Sequence, residues 1–112
     1  MKQVIILRKF NNMRTGKYVA QGSHASLTSF IKCKDSVKGE WIDTGQKKIV
    51  LYVEKEKDLI AIYRLFIKKK LPCVIIKDSG KTEFKGIPTL TAIACIGSDE
   101  ELDLITGNLP LF

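Results

Sequence analysis

Four short runs rich in β-branched residues, set between segments of helical period, constrain this chain more than anything else in it. Val4-Ile5-Ile6-Leu7, Lys48 to Val53, Cys73 to Ile76 and Thr89 to Ile96 suit strands in length and content. Leu59, Ile62, Tyr63, Phe66 and Ile67 recur at 3-4-3-4 spacing, which predicts an amphipathic helix within Glu54 to Lys70. Lys68, Lys69 and Lys70 suit its carboxyl end, and Pro72 prevents it from continuing. A first helix is expected to run to about Cys33 with Thr15 as its N-cap, and a last one from Asp99 to Ile105, ended by Gly107. Lys34 to Gln46, with Gly39, Trp41 and Gly45, reads as a connection holding one helical turn.

The order β-α-β-α-β-β-α points to an α/β layer fold with helices on both faces of the sheet. Strands joined through helices should run parallel by right-handed crossovers. No helical pattern joins the third run to the fourth, which suits an antiparallel member in a mixed sheet. A chain of 112 residues is expected to form one domain, 1–112, long enough to bury a core.

Composition excludes more than it assigns. Nineteen Lys and Arg against twelve Asp and Glu leave a charge of +7, which favours phosphate-rich partners and also serves solubility. Cys33, Cys73 and Cys95 are odd in number, dispersed and without a C-x-x-C pair, against both a zinc site and a disulfide framework. They suit a reducing compartment and small buried hydrophobes. No apolar run reaches the ~18 residues of a membrane span, and the N-terminal run is too short for a signal peptide. The expected location is the cytoplasm. No G-x-x-x-x-G-K-[ST] loop or G-x-S-x-G elbow is present.

Two clusters remain that can carry chemistry. On the first helix Lys17, Gln21 and the lone histidine, His24, stand at i, i+4 and i+7 and project the same way. Val19, Ala20, Ser23, Leu27, Phe30 and Ile31 fill much of the other side. The second cluster, Asp78-x-Gly80-Lys81-Thr82, follows the third strand. Ligands of open α/β sheets bind outside the carboxyl ends of parallel strands. If the first and third strands are parallel, both clusters and Arg8 reach one rim. Each residue also has a plain structural role open to it: Lys17 and His24 as solvated helix residues, Asp78 and Thr82 as turn formers.

Gly16-Lys17-x-x-Ala20-Gln21-x-Ser23-His24-Ala25 resembles the signature helix of the type-2 peptidyl-tRNA hydrolases. Trp41-x-x-x-Gly45-Gln46-Lys47-Lys48-Ile49-Val50-Leu51, Asp78-x-Gly80-x-Thr82 and Glu101-Leu102-Asp103-x-Ile105-Thr106-Gly107-x-Leu109 resemble further motifs of that family, in its order. Phe10-Asn11, Gly22, Glu83, Ser98 and Asn108 depart from its common pattern. The resemblance implies a four-stranded mixed sheet in a three-layer α/β/α sandwich, usually a homodimer, working without metal or other cofactor. It implies hydrolysis of the ester between a peptide and the tRNA 3′ end, with peptidyl-tRNA as partner and no membrane. By motif it carries over Lys17, Gln21, Asp78 and Thr82 as catalytic, with Ser23, His24 and Lys81 as a second tier; Arg8 joins that tier by position. The competing reading is a non-catalytic RNA-binding or interaction module. Retention of both Lys17 and Asp78 favours the enzyme, because binding to phosphate gains nothing from a carboxylate in the cleft.

Overall fold

Residues 1–80 and 86–112 are described by a computed structural model of the chain. The strands are β1 (Lys2–Arg8), β2 (Lys48–Val53), β3 (Cys73–Asp78) and β4 (Thr89–Gly97). The helices are α1 (Thr15–Lys32), α2 (Asp35–Asp43), α3 (Glu56–Lys68) and α4 (Asp99–Thr106). The strands form one sheet in the order β2-β1-β4-β3. β1 and β2 are parallel, and β4 is antiparallel to both β1 and β3. β3 therefore points the same way as β1, so Arg8, Val53 and Asp78 end on one rim, where β4 begins.

Period-2 alternation divides the side chains between two faces. Val4 and Ile6 of β1 join Leu51, Ile93 and Cys95 on the face covered by α3 and α4, where Leu59, Ile62, Phe66 and Leu102 are buried. Ile5 and Leu7 join Val74, Ile76, Ala92 and Ala94 on the opposite face, against Ala25 of α1. The result is a three-layer α/β/α arrangement. Phe66 is fully buried at the heart of the first face, which by burial alone stabilises the fold by about 1.5–3 kcal/mol.

Two local expectations are corrected. The connection at 34–46 holds a nine-residue helix, α2, rather than one turn. Trp41 is what it buries: the ring packs with Cys33, Ile96 and Phe30, and its Nε1 donates to the Lys47 carbonyl at 3.0 Å. Thr15 is not the N-cap of α1; Arg14 is, in extended conformation and with no side-chain cap. Gly107 ends α4 as expected, at φ −59°. Its need for glycine is room, since a Cβ there would fall 2.6 Å from the Asp103 carbonyl oxygen.

The segment after α4 returns along the outer edge of β2. Tyr52 N–H donates to the Pro110 carbonyl at 3.2 Å, Phe112 N–H donates to that of Val50 at 3.0 Å, and Leu51 and Leu111 form an antiparallel bridge. The Phe112 ring then rests against Tyr18 and Tyr52.

Candidate active site at the strand rim

The rim receives its polar groups from elements far apart in sequence. Asp78, the last residue of the edge strand β3, is only 9% exposed. Its Oδ2 accepts from Lys17 Nζ at 2.6 Å and from Gln21 Nε2 at 3.1 Å, across 57 residues of chain in the second case. Its Oδ1 accepts from the Gly80 backbone N–H at 2.7 Å. Gly80 has φ +84° and lies so close to the Ile87 backbone that no Cβ fits. Only glycine turns its N–H back onto the carboxylate at this position. Gln21, itself 7% exposed, accepts at Oε1 from the Thr91 hydroxyl at 2.6 Å.

The electrostatics follow from these bonds. The Lys17 ammonium bonded to Asp78 holds its carboxyl below the usual carboxylate value, the Gly80 N–H adds to this, and burial opposes both. Asp78 is therefore an anchored anion with three donors on its two oxygens, which suits it to positioning a cation and poorly to taking up a proton. The entry to α1 is fixed too: the Tyr18 hydroxyl accepts from Phe10 N–H at 2.8 Å and donates to the Phe10 carbonyl at 2.9 Å.

The structure brings together Lys17, Gln21 and Asp78 of the residues expected from sequence. Arg8 stands on the same rim but toward α3: Nη1 lies 3.4 Å from the Leu90 carbonyl and 3.6 Å from Glu56, with the guanidinium over the Phe10 ring. Ser23 and His24 are exposed, so the expected Lys17–Gln21–His24 stripe splits, with Gln21 buried and His24 in solvent. Lys81 and Thr82 lie outside the described residues. Thr91 was not expected. A threonine in a strand is ordinary, and only its bond to Gln21 marks it. Among the described residues no group of three His, Cys, Asp or Glu side chains is placed to hold a metal ion.

The other flank of α1 inverts expectation. Its buried residues are Gln21, Gly22, Ala25 and Ser29, whereas Val19, Leu27 and Ile31 are 60–63% exposed. Four strands span about 19 Å, and a helix covers about 10 Å of that. α3 and α4 share one face; on the other, α1 lies over β1, β3 and β4 more than over β2. The space beside α1 is a groove of about 990 Å³ floored by Ile5, Leu7 and Val50 and walled by Val19, Leu27 and Trp41.

Comparison with known proteins identifies the family. The family model described as peptidyl-tRNA hydrolase PTH2 matches residues 1–112. A Methanocaldococcus jannaschii protein named peptidyl-tRNA hydrolase is 45% identical, with 99% of each chain covered. A Halobacterium salinarum protein of the same name is 39% identical over the full length of both chains. One from Methanopyrus kandleri is 36% identical, covering 98% of this chain and 97% of its own. A solved structure of a protein of unknown function from Agrobacterium tumefaciens superposes with a TM-score of 0.64 at 11% identity, over 99% of this chain and 96% of that one. It shares the fold.

Proposed function

The chain belongs to the peptidyl-tRNA hydrolase PTH2 family and hydrolyses peptidyl-tRNA, and on that premise we propose how its residues do so. The bond cleaved joins the peptide's terminal carboxyl to a ribose hydroxyl of tRNA. Water adds to the ester carbonyl, an oxyanion forms, and the ribose oxygen leaves with a proton. Lys17 is the group that meets the developing oxyanion, because Asp78 fixes its ammonium at 2.6 Å. Gln21 gives one amide hydrogen to Asp78 and directs the second toward the same carbonyl. Asp78 acts as anchor, and its Oδ1, bonded once to Gly80, orients the attacking water rather than deprotonating it. Thr82 completes the water network.

Arg8, His24 and Lys81 make the second tier, contacting the tRNA near its 3′ end, and Ser23, at the groove beside α1, joins it only at the border of the dimer contact. Residues 1–112 act as one hydrolase domain in the cytoplasm, with peptidyl-tRNA as the macromolecular substrate. The observation that carries the mechanism is the bonded Lys17–Asp78–Gln21 cluster, assembled from α1 and β3 at the sheet rim.

The test is release of free tRNA from N-blocked aminoacyl-tRNA by the purified protein, its Lys17→Ala variant and its Asp78→Asn variant. Wild-type turnover and loss in both variants support this assignment. Near-full turnover in both, with the fold intact, overturns it. Bound but uncleaved tRNA in the wild type would return the chain to the RNA-binding module. Affinity should fall with added salt if the basic surface holds the phosphates.

The same reading makes the working unit a homodimer through the bare flank of α1. A second copy covers the exposed Val19, Leu27 and Ile31 and the groove beside them with one two-fold contact. Nineteen residues line the groove, close to the ~20–30 per side of a standard interface. Its lining is almost wholly uncharged apart from Lys9 and Lys48, which suits a protein surface better than a polyanion.

A further inference from the structure

Thr91 occupies an irregular place in the sheet. Ile76 of β3 faces Ala92 of β4, and the next residue, Lys77, faces Leu90. Thr91 is therefore the extra residue of a β-bulge, with no partner on β3. On the other side, the pairing of β4 with β1 stops at Ala92, opposite Leu7. In an unbroken strand, residue 91 would share the α3 face with Ile93 and Cys95, while Ala92 and Ala94 point to α1. Instead the Thr91 hydroxyl lies on the α1 face, 2.6 Å from Gln21 Oε1, and the residue is 1% exposed.

That bond decides which way the Gln21 amide faces. An ionised Asp78 offers only acceptors, so Nε2 must face it, and a hydroxyl donor at the opposite end holds Oε1 there. Take the hydroxyl away and Oε1 is a buried acceptor without a partner, which costs the amide its fixed plane.

We propose that Thr91, turned by the β4 bulge onto the α1 face, is a positioning residue that orients the Gln21 amide for ester hydrolysis. It does not reach the substrate. It sets the direction of the second Nε2 hydrogen, so its loss slows turnover and leaves the grip on tRNA unchanged. The proposal rests on Gln21 belonging to the catalytic centre.

The experiment compares wild type, Thr91→Val, Thr91→Ala, Thr91→Ser, Gln21→Ala and the Thr91→Val/Gln21→Ala double variant. Each is measured for kcat and KM on N-blocked aminoacyl-tRNA and for melting temperature. The side-chain amide resonances of Gln21 are followed by NMR in those that retain it. Thr91→Val should lower kcat about tenfold, the size of one lost buried hydrogen bond, with KM unchanged. Thr91→Ser, which keeps the hydroxyl, should stay near wild type. On the Gln21→Ala background the Val change should cost nothing more, and the Gln21 amide resonances should move in Thr91→Val but not in Thr91→Ser. Should Val distort the bulge, Thr91→Ala deletes the hydroxyl without its bulk and carries the same expectation. A hydroxyl-free variant that folds and keeps wild-type kcat while Gln21→Ala is impaired overturns the proposal alone. So does a kcat loss that repeats in full without Gln21, or one shared by Thr91→Ser. Full activity in Gln21→Ala overturns the catalytic reading of Gln21 itself, and this proposal with it.

Discussion

The two flanks of α1 make opposite use of one helix. Toward β3 and β4 it buries an amide and sets an ammonium against a carboxylate, each polar atom bonded across the sheet rim. Toward β2 it leaves Val19 and Leu27 in solvent at the wall of a groove. Stability alone would rotate such a helix the other way, because burying polar groups costs free energy unless every one is paired. The inward polar flank is tolerated because every polar side-chain atom of Gln21 and Asp78 has a partner, and it places the cluster at the rim where strands deliver their ends. The outward apolar flank is the surface on which the proposed dimer rests.

Experiments that separate the flanks should differ in kind as well as size. The largest effect belongs to the polar flank: Asp78→Asn or Lys17→Ala should lower kcat on the order of a hundredfold or more. Equal losses from substitutions in the groove would erase the distinction between the flanks. Next, Leu27→Asp, at a site 60% exposed, should convert a dimer to monomer by light scattering with its melting temperature kept. Identical masses for wild type and variant would remove the dimer from the apolar flank.

A third test uses acid. Because the Asp78 pKa is depressed in the folded chain, its contribution to stability is complete above the unfolded carboxylate value of about 3.9. It is lost as pH falls through the lower folded value. The stability gap between wild type and Asp78→Asn, read by urea denaturation, should therefore be wide at neutral pH and shrink as pH falls below the unfolded value. A gap independent of pH would mean the carboxylate's charge is immaterial. The smallest effect is on the groove side. A Cβ on Gly22 would meet Ile5 and Leu7 at 3.7 Å, an ordinary contact. Gly22→Ala should then raise stability by roughly 0.5–1 kcal/mol with turnover unchanged, since glycine is a poor helix interior residue.

Much of this was legible in the residues. The strand Lys48–Val53 is found where its β-branched run lies, and α3 where its 3-4-3-4 spacing lies. Asp78 reached the rim for the reason expected, a β3 parallel to β1. α2 was hidden because its sequence is mostly polar and its apolar repeat is a single i, i+4 pair, Val37 and Trp41. The inverted burial of α1 was hidden for a related reason: Gly22, Ala25 and Ser29 lie close to the sheet because they are small, and size is not hydropathy. Thr91 depends on an extra residue in a ladder, and register is a property of two strands together.

The return of residues 110–112 along β2 bears on how such a chain stays dispersed in a crowded cell. An open strand edge recruits other strands, and the end of that road is fibrils. Here Pro110 and Phe112 take up hydrogen-bonding groups on the β2 edge. At the opposite border Pro72 precedes β3, Lys32 Nζ caps the Cys73 carbonyl at 3.0 Å, and Lys77 stands exposed. Both borders of the sheet thereby resist backbone zippering, and the proposed dimer is left to side-chain recognition.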